Sequence, residues 1–234
     1  MFQFKQFSVN QQNCPMKINT DGVLLAAMAE VDGKQAILDI GTGTGVIALM
    51  IAQRNELALI DALDIDAPAT QTAAENFKNS KFHNRLKGHN HSFQGYFKVN
   101  GNCFYDLMVS NPPFFLNALK SKEEKKNLAR HTNEAFFTEL MTGAYQHLTP
   151  TGTLQIIVPT QIEQLIVEIA NANHLQLHSK INISSFENSE PIRSILSFGK
   201  SHLPFNEQFF HIYAEQGIHS KDYQTALKDF FTIF

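Results

Sequence analysis

One short run, Leu38-Asp39-Ile40-Gly41-Thr42-Gly43-Thr44-Gly45, constrains this chain more than any other feature. It joins an apolar segment, Ala36–Ile40, that reads as a buried strand to a helical segment over 46–53. Glycines at such a junction let the backbone turn tightly and come within contact distance of a ligand. The helix that follows offers unpaired N–H groups at its first turn. The spacing is G-x-G-x-G, with Val46 where the last glycine of G-x-G-x-x-G falls, which argues against a dinucleotide.

Further along, strands and helices alternate. Strands are expected over 57–63, 86–89, 105–110, 154–158, 178–183 and 193–198, and helices over 67–79, 136–148 and 162–172. A Pro- and Gly-bearing turn is expected over 149–152 and a polar, mobile loop over 184–191. Strands separated by helices imply βαβ units and a parallel sheet covered on both faces. A chain of 234 residues with no repeat and no low-complexity linker is read as one domain over 1–234. Within it, 1–34 is an N-terminal extension and 35–234 the α/β core.

Bulk properties exclude several classes. No apolar run approaches the roughly 20 residues that span a bilayer, and the first residues do not form a signal peptide. The protein is therefore expected in the cytoplasm, with Cys14 and Cys103 reduced and away from any membrane. Those cysteines form no ligand pattern, so no metal is expected. A formal net charge of −3 gives no global basic field, so any RNA contact rests on a local patch.

Two further positions complete a candidate pocket. Asp64, at the end of the second strand, can accept hydrogen bonds from both hydroxyls of a ribose, with Asp66 as its competitor. An adenosyl-methionine has no phosphate to cradle, so the glycine loop can approach its methionine part, and Asp39 can face its ammonium group. Asn111-Pro112-Pro113-Phe114 directly follows the strand 105–110 and lies at the same carboxyl edge of the sheet. The Asn111 amide oxygen and the Pro112 carbonyl can each accept one hydrogen of a planar amine. That draws the nitrogen toward tetrahedral geometry and frees its lone pair, and the acceptors are fixed before reaction. Successive prolines stiffen the loop, and Phe114, with Phe115 as a further wall, can stack on a flat base.

The order of glycine loop, acidic strand end and Asn-Pro-Pro-Phe resembles the class I amino-methyltransferases. Met16-Lys17-Ile18-Asn19-Thr20-Asp21-Gly22-Val23-Leu24-Leu25, Leu128-Ala129-Arg130-His131 and the span from Tyr223 to Phe231 extend the likeness. Together they resemble the bacterial tRNA1(Val) adenine-37 N6-methyltransferase family over nearly the whole chain. The resemblance implies a Rossmann-like fold with a seven-stranded, mostly parallel sheet and helices on both faces. It implies S-adenosylmethionine as cofactor and the adenine beside the anticodon of a valine tRNA as substrate. It further implies that Lys17, Thr20 and Asp21 border the cofactor cavity. Catalysis is expected from Asn111, Pro112, Pro113 and Phe114. Cofactor contacts are expected from Lys17, Thr20, Asp21, Asp39, Gly41, Thr42, Gly43, Gly45, Asp64, Ile65, Asn90 and Asn111.

One departure stands after the third strand. Many relatives carry an acidic residue there, near the cofactor's adenine amine, whereas this chain reads His89-Asn90-His91-Ser92-Phe93, leaving Asn90 or Ser92 for that contact. Lys120, Lys122, Lys125, Lys126 and Arg130 read either as a solvated face or as phosphate contacts. Protein glutamine N5-methylation and ribosomal guanine N2-methylation use the same acceptor logic and stay open as alternatives. A non-catalytic RNA-binding scaffold is disfavoured by the intact tetrapeptide.

Overall fold

The computed structural model describes residues 1–112 and 122–234, with side chains over 1–112 and 134–234. A short antiparallel ribbon, β1 (Phe2–Gln3) and β2 (Ser8–Val9), opens the chain. Helix α1 (Thr20–Met28) follows, started by Asn19, whose side chain accepts from the Gly22 amide. Then come β3 (Ala36–Ile40), α2 (Val46–Arg54), β4 (Leu59–Asp64) and α3 (Ala67–Lys78). Next are β5 (Leu86–Asn90), α4 (Phe93–Val99), β6 (Tyr105–Ser110) and α5 (Lys122–His147). The remainder is β7 (Leu148–Pro159), α6 (Glu163–Ala172), β8 (Gln176–Phe186), β9 (Arg193–Gly199), β10 (Asn206–Glu215), β11 (Ile218–His219) and α7 (Lys221–Leu227).

The main sheet has nine strands in the order β11-β10-β8-β9-β7-β6-β3-β4-β5. The seven strands expected from sequence form the contiguous block from β8 to β5. Within that block β9 runs antiparallel to both its neighbours. The correction is at one edge, where β10 adds parallel to β8 and β11 folds back on β10. Alternation along β3 explains why both faces are covered. Ile37 joins the buried cluster that holds α1, α2 and α7, while Leu38 and Ile40 join the cluster that holds α4, α5 and α6. No helix among the described residues is long and apolar enough to cross a membrane.

Other departures have physical reasons. The expected turn at 149–152 lies inside β7: Tyr105 pairs with Leu148 and Leu107 with Thr153, so the Pro150 and Gly152 signals mark a bulge. Part of the expected loop over 184–191 is strand, because β8 continues to Phe186 beside β10. Helix α5 starts at Lys122 rather than 136; its first turns are charged and show no apolar period. Helix α4 has only seven residues and carries Gly95, too short a run for periodicity to mark. Ser92 starts it by accepting from the Gly95 amide.

The two ends of the chain meet. Phe4 bridges to Phe231, the Lys5 amide donates to the Phe230 carbonyl, and Lys5 Nζ donates to the carbonyls of Lys228 (2.6 Å) and Phe234 (2.9 Å).

Candidate active site

The chain passes from β3 to β4 on one side of the sheet, while β6 lies against β3 on the other, a topological switch point between β3 and β6. Register levels the strand ends there, with Ile40 opposite both Leu63 and Ser110. The loops after β3, β4 and β6 therefore open at one edge. A cavity of about 490 Å³ occupies it, within the range that holds a cofactor-sized molecule.

The glycine loop forms the floor. Gly41 and Gly43 have φ of 77° and 55°, a region costly for any residue with a Cβ, and a Cβ at either would meet no atom within 4 Å. Both line the cavity, so their missing side chains leave room for a ligand. The loop is held from beneath, because the amides of Gly41 and Thr42 both donate to the Leu63 carbonyl at 2.9 Å. Gly45 has a different task. It starts α2 at φ 81°, and a Cβ there would stand 2.5 Å from Phe77 Cε1. It is not among the lining residues, so its glycine serves the packing of α2 on α3.

Asp64 lines the cavity with both carboxylate oxygens partly committed. Oδ2 accepts from the Gly43 amide at 2.8 Å and Oδ1 from the Asp66 amide at 2.9 Å. Each oxygen has a second lone pair for a ligand hydroxyl. Asp66 also lines the cavity, but its Oδ1 accepts from the Ala69 amide and starts α3. Ile65, beside them, is 78% exposed and lines the mouth.

Asp39 lies elsewhere. It is fully buried, absent from the lining, and its Oδ2 accepts from the Thr42 hydroxyl at 2.6 Å beneath the loop. Its Oδ1 has no hydrogen-bond partner. Burial pushes its carboxyl up to about 7, with the Thr42 hydroxyl opposing and the Asp64 charge adding to the rise.

Asn90 is likewise outside the lining. Its Nδ2 donates to the carbonyls of Asp64 (3.0 Å) and Ile65 (3.2 Å), bracing the turn that presents Asp64. His91, Ser92, Phe93 and Gln94 reach the cavity instead. Thr20 and Asp21 sit in the first turn of α1 outside the lining, and Asp21 accepts from Arg193 Nε at 2.8 Å.

The opposite wall comes from β6 and from residues before α1. Asn111 and Pro112 are buried and line the cavity, and Ser110 Oγ donates to the Ile40 carbonyl at 2.8 Å, tying β6 to β3. Pro15, Met16, Lys17, Ile18 and Asn19 close the side. Asn76 of α3 ties the chain upstream of that segment to the glycine loop. It accepts from the Asn10 amide and donates to the carbonyls of Asn10 and, in the glycine loop, Thr44. Lys17 Nζ turns away to the Gln11 carbonyl. Pro113, Phe114, Phe115 and Lys120 lie outside the described residues, as do the side chains of Lys122, Lys125, Lys126, Arg130 and His131.

Aromatic wall residues carried no mark in the sequence. Phe93 and Phe136 meet edge to face at 5.9 Å and 89° beside the cavity. Asn19 did carry one, since Asn before Thr-Asp and the apolar Val23–Leu25 run is a helix-start signal.

This fold, with a glycine cradle, a strand-end carboxylate and Asn-Pro-Pro at one switch point, defines an S-adenosylmethionine-dependent methyltransferase of class I. Solved structures agree on the fold. A predicted O-methyltransferase from Agrobacterium tumefaciens superposes with TM-score 0.70 at 16% identity, covering 90% of this chain and 96% of that one. A methyltransferase from Pyrococcus furiosus gives TM-score 0.53 at 20% identity, over 82% and 91%. The Methyltransferase small domain family model matches residues 16–171. The tRNA1(Val) (adenine(37)-N6)-methyltransferase of Pedobacter heparinus is 43% identical over 233 residues, 100% of this chain and 98% of that protein. That of Trichodesmium erythraeum is 38% identical over 234 residues, 98% and 97%. The chain belongs to the tRNA1(Val) (adenine(37)-N6)-methyltransferase family.

Proposed function

We propose that this chain methylates the N6 amine of adenine 37 in the anticodon loop of tRNA1(Val), acting in the cytoplasm as a single domain over 1–234. One observation carries the reading: Asn111 lines the same cavity as Gly41, Gly43 and Asp64. The donor set fits the cofactor, with an open glycine cradle for its amino-acid part and free lone pairs on Asp64 for its ribose. When bound, S-adenosylmethionine supplies an electrophilic methyl group on a sulfonium.

Residues 1–34 border the cofactor through 15–19, and Lys17, Thr42 and Ile65 contact it. Thr20 and Asp21 act by setting the start of α1, Asn90 by bracing the Asp64 turn, and Asp39 and Gly45 by supporting the glycine loop. Asn111 Oδ1 and the Pro112 carbonyl take the two amino hydrogens, so the base is held with its nitrogen lone pair toward the cofactor. Pro113 stiffens the loop and Phe114 stacks on the base. An unpaired or flipped adenine meets the requirement for access.

The test is transfer of labelled methyl to total RNA, stripped tRNA and protein, followed by nucleoside analysis. N6-methyladenosine in one tRNA is expected. N2-methylguanosine or labelled protein glutamine instead would replace the substrate. Asn111→Ala is expected to abolish transfer, on the order of 100-fold or more, while cofactor affinity by calorimetry stays within a few-fold of wild type.

A further inference from the structure

The capping residue of a helix and the proposed acceptor of an amine meet in this cavity. Asn19 has extended backbone (φ −133°, ψ 166°), and its Oδ1 accepts from the Gly22 amide at 2.9 Å to start α1. The same oxygen faces Asn111 Nδ2 at 3.3 Å. A backbone N–H can only donate, so Asn19 Oδ1 is committed as an acceptor. The Asn111 atom opposite it is then a donor. A carboxamide turned by 180° exchanges its donor and acceptor ends. With its NH2 end engaged, Asn111 has its oxygen left for the substrate. The turned arrangement would set an NH2 against the substrate's amino hydrogens and hold nothing.

We propose that Asn19 is a positioning residue for methyl transfer. The helix start of α1 fixes which end of the Asn111 amide faces the substrate amine. Gly22 packs beside the pair. A Cβ on Gly22 would lie 3.4 Å from Asn111 Nδ2 and 3.5 Å from Asn19 Oδ1, in van der Waals contact with both. Both Asn19 and Gly22 line the cavity, 92 and 89 residues before Asn111 in sequence. The segment before α1 thus does more than wall off solvent. The inference rests on the role given to Asn111 above.

Three substitutions separate positioning from helix capping. Asn19→Ser starts a helix as well as asparagine does, but its side chain is too short to reach Asn111. Asn19→Asp keeps an acceptor oxygen in place for both the Gly22 amide and Asn111 Nδ2. Steady-state methylation of unmodified tRNA should show kcat lowered roughly tenfold or more in Asn19→Ser. Tm should hold, cofactor Kd should shift by far less than kcat, and Asn19→Asp should recover most of the lost kcat. Should Asn19→Ser fail to fold, Asn19→Thr carries the same expectation. Wild-type kcat in Asn19→Ser, or an Asn19→Asp no better than the serine variant, overturns the proposal. If Asn111→Ala is inactive while Asn19→Ser is intact, this inference alone fails. If Asn111→Ala turns over normally, the reading of the site fails first.

Discussion

The glycines of one loop carry two different burdens, and alanine substitutions at Gly45 and Gly43 should separate them. At Gly45 an alanine meets two costs. The φ of 81° is a left-handed conformation, worth roughly 1–2 kcal/mol against a residue with a Cβ. The new methyl also falls 2.5 Å from Phe77 Cε1, 3.0 Å from its Cζ and 3.3 Å from Ala73 Cβ. Phe77 is 2% exposed in the core between α3 and α2, so its ring has no solvent to swing into. Forcing the fit adds about 1–3 kcal/mol, for a total of roughly 2–5 kcal/mol. In a chain of this length each kcal/mol moves Tm by about 2–4 °C, so the drop should be on the order of 10 °C. At Gly43 the same change meets no atom within 4 Å, leaving only the backbone cost of about 1–2 kcal/mol. Its methyl points into the open cavity, where the proposed cofactor site lies. Differential scanning calorimetry and cofactor titration on both variants should therefore cross over. Gly45→Ala should be the less stable, with residual cofactor affinity at low temperature, and Gly43→Ala the more stable but poor at binding. Equal Tm values, or tight cofactor binding by Gly43→Ala, would refute the division of roles.

Asp39 predicts a pH dependence. Its folded carboxyl titrates near 7 against an ordinary 3.8, so from about pH 4 to 7 the unfolded chain ionises first and stability of the cofactor-free protein falls as pH rises. The loss levels off above pH 7 at about 4 kcal/mol in order of magnitude. Urea denaturation from pH 5 to 8 should show that slope in wild type and not in Asp39→Asn; parallel curves would count against it. Asn90→Ala removes the donors on the Asp64 and Ile65 carbonyls and should weaken cofactor binding several-fold by calorimetry while leaving kcat at saturation near wild type. An unchanged Kd would show that the turn holds itself.

What was legible in the sequence is what chain chemistry marks locally. Ala36–Ile40 and Tyr105–Ser110 are apolar runs bounded by Gly and Asn-Pro, and both are central strands as expected. The positions after them, Gly41, Gly43, Asn111 and Pro112, meet Asp64 at the end of β4 because strand ends align in a parallel sheet. Direction of a side chain at a strand end is not local information. Asp39 and Asn90 both stand beside the cavity in sequence, yet one turns beneath the loop to Thr42 and the other back onto the Asp64 carbonyl. Gly45 looks like its neighbours in the motif, and only the ring of Phe77, 32 residues away, gives it a separate purpose. The Phe- and Tyr-rich tail over 209–234 reads in sequence as a packing strand plus helix, and β10 and α7 lie there; β11, two residues long, is too short for any pattern to mark.

The clasp between Phe4 and Phe231 bears on the order in which the molecule can mature. Segment 15–19, which walls the cavity, follows that clasp and then the Asn76 staple at Asn10 along the chain. Contacts separated by more than two hundred residues close late, after most of the chain has already collapsed. Competence to hold a cofactor should therefore arrive at the end of folding, so a nascent or half-folded chain would draw nothing from the cell's methyl-donor pool.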